Sequence, residues 1–273
     1  MKDISTTSER DAAPSCDPAS APPLWSIGLK TNTDKVTTTS GTGHAYQFPY
    51  EKYMRPLRCR PLNVLEIGLG CDMGIGEAGH SVAMWLEFMP AAALTVMEWN
   101  GKCMNDWRAA DPMRIGKDVL QSRAQFFEGD QSKPADLLRV ADARGPFDVI
   151  IDDGGHSANQ QITSLRTLLK FVKPGGLYVL EDLETSFSTF HAFWHDFPTT
   201  AAQYIAQMIN VLHWPKHAET VDASLYPGLV EIMPLVKSID CSGELCVFTR
   251  WAAGEGPTAE NAKAAAAVKL TTK

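Results

Sequence analysis

Two apolar runs in this chain end abruptly in acids. Phe147-Asp148-Val149-Ile150-Ile151 passes into Asp152-Asp153-Gly154-Gly155-His156, and Leu177-Tyr178-Val179-Leu180 passes into Glu181-Asp182. Buried strands of an open parallel sheet present their chemistry just beyond their carboxyl ends, so the two acidic exits read as one site. Carboxylates gathered there repel one another, and one would take up a proton unless a cation intervened. No Lys or Arg stands beside them in the sequence to do so. The expectation is therefore a hard divalent cation, and an all-oxygen ligand set favours magnesium, manganese or calcium over zinc. His156 follows Asp153 by one helical turn's spacing, and an imidazole exchanges its proton near neutral pH. It could act as a general base, or simply cap a helix starting at Ser157. The metal reading fails if the acids point apart, or if a basic group already fills the gap between them.

The elements that would position these groups follow from hydrophobic periodicity. Leu62 to Ile67 reads as a first buried strand, and Gly68-Leu69-Gly70 as its glycine turn, where the backbone can approach a ligand closely. A loop with Gly74, Gly76 and Gly79 leads to a helix through Val82, Trp85, Leu86 and Met89, stopped by Pro90. Ala93 to Glu98 is a second strand ending in an acid, placed where doubly wound folds hold a ribose. Helical stretches at Lys102–Asp111 and Lys117–Ser122 precede a third strand, Gln125 to Asp130. A helix from Ala135 to Ala141 leads to the fourth strand, through Ile151. Ser157 to Lys173 carries Ile162, Leu165, Leu168, Leu169 and Val172 on one face and reads as a helix ended by Pro174-Gly175-Gly176. A strand–helix–strand unit crosses over right-handed and sets the fourth and fifth strands side by side.

The ends differ in composition. Residues 1–22 are rich in Ser, Thr, Ala, Pro and Asp and read as disordered; residues 23–60 bring in aromatics and histidines and read as an N-terminal helical cap, with Tyr50, Tyr53, Met54 and Leu57 at helical spacing. Within that cap, Thr33-Asp34-Lys35 and His44-Ala45-Tyr46 are too rich in functional types for a linker. Residues 61–251 form the main domain and 252–273 a low-complexity tail. Ser186 to Trp214 reads as an aromatic helix, whose His191 and His195 spacing is better explained by packing than by zinc. Leu229–Ile239 and Leu245–Arg250 read as an antiparallel hairpin joined at Asp240-Cys241-Ser242-Gly243.

The chain has 273 residues, is 44% hydrophobic and carries a formal charge of -7. That balance argues against nucleic acid or an anionic membrane as partner. No apolar run reaches the ~20 residues of a membrane span, and the amino terminus has no secretory pattern. The six cysteines lack zinc-type spacing and are expected to be reduced in a cytoplasmic protein.

Five strand–helix units and a terminal hairpin make an α/β, doubly wound, mostly parallel seven-stranded sheet. This resembles the Rossmann-like class I S-adenosylmethionine-dependent methyltransferases. Glu66-Ile67-Gly68-Leu69-Gly70 resembles that family's glycine motif, Glu98 its ribose-binding acid, and Asp130-Gln131 its adenine-side position; Asp152 falls on the same cofactor-facing edge. Thr33-Asp34-Lys35, His44, Asp152-Asp153-Gly154-Gly155-His156 and Glu181-Asp182-Leu183 are similar to the metal-dependent macrolide-sugar O-methyltransferases and the cephalosporin-hydroxylase-like proteins. The resemblance implies Mg2+ held by Asp153, Glu181 and Asp182, and His156 as base. It implies a hydroxylated small-molecule acceptor, a sugar or polyhydroxylated natural product, and a homo-oligomer. Gly155 departs from the family's usual Ser, and the resemblance assigns no role to Glu184. Two rival readings are a nucleotide-dependent oxidoreductase, disfavoured because Met73 stands where a third fingerprint Gly would fall, and a non-catalytic S-adenosylmethionine-binding interaction protein.

Overall fold

The computed structural model of the chain describes residues 16–71, 78–187 and 192–257. Seven strands form one sheet: β1 (Asn63–Ile67), β2 (Ala93–Glu98), β3 (Ala124–Glu128), β4 (Phe147–Asp152), β5 (Val172–Leu180), β6 (Val236–Ser242) and β7 (Leu245–Arg250), in the order β3-β2-β1-β4-β5-β7-β6. The first five pair in parallel, and β7 enters antiparallel between β5 and β6. β4 lies at the centre, and its successive side chains go to opposite faces. Val149 and Ile151 enter one core, while Ile150 enters the other. With both faces covered, the strand has no polar side to show, which is why it reads as an unbroken apolar run.

On the first face lie α1 (Leu24–Thr31), α2 (Gln47–Met54), α3 (His80–Phe88), α4 (Gly101–Ala110) and α5 (Lys117–Arg123). The second face carries α6 (Pro134–Arg144), α7 (Ala158–Leu168), α8 (Ala201–His213) and the short α9 (Leu229–Ile232). The helix after β4 starts where the sequence places it. Ser157 accepts from Gln160 N and Gln160 returns a bond to the Ser157 backbone, a capping box that satisfies two otherwise orphaned amides.

Several boundaries differ from expectation. α7 ends at Leu168, and Pro174-Gly175-Gly176 lies within β5, at a register shift against β4. Proline and glycine mark an irregular strand here rather than a helix stop. The aromatic stretch is not one helix: a 3-10 turn covers Leu183–Ser186, another Ala192–His195, and α8 begins after Pro198. Leu229–Leu235 is helical before β6 begins at Val236, and the hairpin turns at Gly243-Glu244. His191, Phe190, Met73, Gly74 and Gly76 lie outside the described residues.

The cysteines correct a further expectation. All six are paired, as Cys16–Cys59, Cys71–Cys103 and Cys241–Cys246. Spacing along the chain hid this. Cys71 and Cys103 meet because the loop after β1 runs against α4, and Cys241 faces Cys246 across the β6–β7 ladder. Residues 1–15 lie outside the described residues; residues 16–22 are held by the first disulfide and by Arg55, whose guanidinium donates to the carbonyl of Pro18 at 2.6 Å.

Ile150 is fully buried in the centre of the sheet. Ile150→Ala is expected to lower the unfolding free energy by about 2–5 kcal/mol and Ile150→Val by about 0.5–1.5 kcal/mol, as urea denaturation would measure. A loss below that of the valine variant would mean that β4 is not the core strand described.

Candidate functional site

The sheet order reverses direction between β1 and β4, and this is where an open parallel sheet forms a crevice. β1 leaves through Gly68, whose φ of 99° and close approach to β4 require glycine. A Cβ there would lie 1.9 Å from the carbonyl oxygen of Asp153. A cavity of about 760 Å³ opens above this edge, lined on one side by Gly68, Leu69, Gly70, Glu98 and Trp99 and on the other by Asp153, His156 and Asp182. Such a volume is ordinary for a small-molecule site. No Lys or Arg is among its described lining residues.

On the β1–β2 side, Glu98 is held rigid. Its Oε2 accepts the Leu69 amide at 3.0 Å and its Oε1 the Asn100 amide at 2.8 Å. Gln131 reaches the same cavity from the β3 exit. Its side-chain nitrogen donates to Asp152, and its oxygen accepts the Gly155 amide at 3.0 Å. Asp152 itself does not reach the cavity. It is fully buried, bonded to Gln131, Ser164 and Tyr178, and burial raises its pKa to about 6.

Glu66 and Asp130 also stand apart from the cavity. Glu66 is fully buried on the α3 face, where Oε1 accepts the Trp85 indole N–H at 2.8 Å. Asp130 accepts from the backbone and hydroxyl of Ser132 and pairs with Lys133 at the start of α6.

The acids of β4 and β5 do converge. Glu181 N donates to Asp152 O and Asp153 N to Ile67 O, so the ladder carries on to the first residue past each strand. Asp153, His156 and Asp182 each offer a ligand atom, all within 4.8 Å of one another. Left-handed backbone at Asp182 (φ 57°) and His156 (φ 58°) turns both side chains back over the sheet edge. His156 Nε2 lies 3.1 Å from Asp182 Oδ2 and 4.0 Å from Asp153 Oδ1. Asp182 Oδ1 accepts the Tyr46 hydroxyl at 2.6 Å. Burial works against ionisation of Asp182, yet His156, that hydroxyl and His44 together hold its carboxyl below the usual range.

Glu181 is placed differently. A basic group does fill the gap between Asp153 and Glu181, Lys35 Nζ standing 2.5 Å from Asp153 Oδ2 and 2.5 Å from Glu181 Oε2; this counts against a metal between those two acids and leaves the metal reading to Asp153 and Asp182, which line the cavity. Tyr50 donates to the other Glu181 oxygen. Glu181 therefore faces inward, away from the three groups that share the cavity. Desolvation opposes the charge on Lys35, but Asp153, Glu181 and Glu66 hold its ammonium well above the ordinary lysine range. The expectation that no base was at hand rested on neighbours in sequence, whereas Lys35 arrives from the N-terminal cap. The signal that could have found it was the density of functional types around Thr33-Asp34-Lys35.

Gly155, where the resembled family has Ser, has a local explanation. A Cβ there would meet the Gln160 side-chain oxygen at 2.3 Å, and that oxygen is the one that accepts from Ser157 N in the capping box.

Residues 73–183 match the model of a family described as a methyltransferase domain. The chain is 32% identical over 204 residues to the 8-demethyl-8-alpha-L-rhamnosyl tetracenomycin-C 2'-O-methyltransferase of Streptomyces olivaceus, across 74% of this chain and 48% of that protein. It is 33% identical over 151 residues to the mycinamicin VI 2''-O-methyltransferase of Micromonospora griseorubida, across 55% of this chain and 34% of that protein. Among solved structures it is similar to the MycE methyltransferase from the mycinamycin biosynthetic pathway, in complex with Mg, SAH and mycinamycin VI. The TM-score is 0.67 at 23% identity, covering 88% of this chain and 58% of that one, a likeness of fold. The chain spans about half or less of the length of the two curated relatives named, 48% and 34%.

Burial raises the Glu66 pKa from 4.5 to about 7. The folded protein thus keeps a proton that the unfolded chain releases, so this group's contribution falls as pH rises from about 4.5 to about 7 and is level above. Glu66→Gln is expected to gain stability over the parent across that window, by up to about 3 kcal/mol. Urea unfolding at pH 5 and pH 8 measures it, and identical pH slopes for the two proteins would contradict it.

Proposed function

We propose, on the match of residues 73–183 to a methyltransferase domain family, that the chain transfers the methyl group of S-adenosylmethionine to a hydroxyl of a sugar-bearing or polyhydroxylated small molecule, with a divalent metal ion. The observation that carries this is the meeting of Asp153, Asp182 and His156 on one wall of the cavity whose other wall is Gly68, Gly70 and Glu98. The named relatives act on sugar hydroxyls of natural products, which supports the acceptor class.

The donor set suits a hard cation: two carboxylates, each with an oxygen toward the cavity, and one imidazole. Asp153 and Asp182 would hold Mg2+ or a similar ion, beside His156. Such an ion, when bound, lowers the pKa of a coordinated hydroxyl.

The chain's own residues supply the rest. Glu98, fixed by the Leu69 and Asn100 amides, would receive the ribose hydroxyls, and the close turn at Gly68-Leu69-Gly70 would let the backbone approach the rest of the donor. Gln131, oriented by Asp152, would border the adenine end, so Asp152 acts through Gln131 rather than on the cofactor. His156 Nε2 would take the acceptor's proton, and Asp182 Oδ2, 3.1 Å away, would stabilise the imidazolium that forms. This set of groups supports a catalyst over a binding protein that keeps only the fold.

A homo-oligomer is proposed on the family resemblance, and a single-protomer mass in sedimentation would remove it. Among the described residues, no helix is long and apolar enough to cross a membrane. The cytoplasmic expectation leaned on reduced thiols, and three disulfides withdraw that support.

His156→Ala is expected to bind S-adenosylmethionine as the parent does while methyl transfer falls by about 10²- to 10⁴-fold, measured by calorimetry and product mass. Undiminished transfer would exclude His156 as base. Chelation is expected to abolish transfer and added magnesium to restore it; full activity in excess chelator would make the acids merely structural.

A further inference from the structure

The turn at Gly68-Leu69-Gly70 and the acid Glu98 are joined by a closed ring of contacts, and one link in that ring is covalent. Glu98, 3% exposed, accepts the Leu69 amide at Oε2 (3.0 Å) and the Asn100 amide at Oε1 (2.8 Å). Asn100 caps α4, its side-chain oxygen accepting the Cys103 amide at 3.0 Å. Cys103 is bonded through sulfur to Cys71. Cys71 directly follows Gly70 and lines the cavity. The ring thus runs from Leu69 through Glu98, Asn100, Cys103 and Cys71 back to Leu69.

α4 holds the chain a second time from the same face. Trp107 lies one helical turn beyond Cys103, at the spacing that puts two side chains on one side of a helix. It is wholly buried and donates its indole N–H to Ala78 O at 2.8 Å. Gly79 packs so closely on the indole that a Cβ would lie 2.3 Å from it, and the Gly79 amide donates to Leu69 O at 2.8 Å. These contacts do not depend on the sulfur bond, so the fold keeps its hold on α4 without it. What the disulfide adds is local. The other links of the ring are single hydrogen bonds, each worth little net against competing water. The covalent link confines Leu69 and Gly70 before a ligand arrives, and a site ordered in advance spares the ligand that cost.

We propose that the Cys71–Cys103 pair is a redox-sensitive positioning device for the donor site: oxidised, it holds the glycine turn against Glu98 in the arrangement that receives the donor's ribose, and reduced, it frees the turn and weakens donor binding. The proposal rests on the reading of Glu98 as the ribose acid. Reduction is a two-electron exchange with a dithiol. The Sγ–Sγ bond breaks and takes up two electrons and two protons to give two thiols, while the dithiol closes to its own cyclic disulfide. Cys71 is 8% exposed and stands on the cavity wall, in the space that the donor would occupy. Neither Cys16–Cys59 nor Cys241–Cys246 lines that cavity, and both serve as internal controls.

The test is calorimetric titration of the full chain with S-adenosylmethionine, before and after reduction by dithiothreitol. Ordering one backbone residue on binding costs on the order of tenfold in affinity, so the reduced chain is expected to bind about tenfold more weakly. Cys71→Ser/Cys103→Ser is expected to show the reduced parent's affinity with or without dithiol. Full parent affinity in that variant, or an undiminished response to dithiol, would overturn the proposal. Should the variant fail to fold, a measurement on the parent carries the test. Linkage is reciprocal, so a tenfold effect on donor affinity requires bound donor to lower the reduction potential of this pair by about 30 mV. Alkylation and mass mapping across a dithiothreitol redox series, with and without donor, reads all three pairs. The expected result is a shift at Cys71–Cys103 and none at the other two, with circular dichroism unchanged. A potential that donor leaves unmoved would overturn the proposal. So would loss of the circular dichroism signal as this pair is reduced, since the bond would then stabilise the whole fold rather than the site. A parent chain that binds no donor in either state would instead overturn the donor reading of Glu98, and the inference with it.

Discussion

Three carboxylates, Asp153, Glu181 and Asp182, leave two neighbouring strands within one sheet spacing of each other, and their mutual repulsion is the constraint to which the surrounding structure responds. Each has its own compensation. Glu181 is neutralised from within by Lys35 and Tyr50, Asp182 is held by Tyr46 and His156, and Asp153 is divided between Lys35 and the cavity. All of the compensating groups except His156 come from residues 33–50. The N-terminal segment is therefore part of the site. A sheet edge without it would present buried acids with no counter-charge, a state that raises carboxylate pKa values and empties the site of its charge.

Topology decides where this chemistry can be used. The order reversal between β1 and β4 leaves a crevice that the two edges share, and Gly68 lets them pass within contact of each other. The β1–β2 side offers a rigid acid, Glu98, and an approachable backbone. The β4–β5 side offers ionised groups. Two reactants of different chemical character can so be held against one another without either side's groups serving both, which is what a transfer between a bound donor and a bound hydroxyl requires. The left-handed backbone at His156 and Asp182 completes the arrangement by folding their side chains back over the edge. Strained single residues of this kind persist where surrounding contacts over-determine them.

Much of this was legible in the sequence, for physical reasons. β4 shows itself because a strand buried on both faces must be apolar throughout and must end where polarity returns, at Asp152-Asp153. Gly68 shows itself because close strand exits leave no space for a Cβ. The α7 start is written in Ser157 and Gln160. Other features depend on contacts between distant residues and leave no local trace. Lys35 reaches Asp153 from 118 positions away, and two of the disulfides, Cys16–Cys59 and Cys71–Cys103, join residues 43 and 32 positions apart. Glu66 sits in a motif that reads as ligand-facing, but the alternation of β1 turns it to the α3 face and onto Trp85. Pro174-Gly175-Gly176 has the composition of a helix stop, yet pairing with β4 extends the strand back through it.

The central claim is that the acidic edge and the glycine edge serve one reaction, with donor and metal in the same cavity. Paramagnetic relaxation tests this directly. With Mn2+ in place of Mg2+ and S-adenosylmethionine bound, the account predicts strong broadening of the donor's S-methyl proton signal, removed by chelation and weaker at the adenine protons. An S-methyl signal indifferent to Mn2+, in a protein shown to bind both, would place the ion elsewhere and contradict the account.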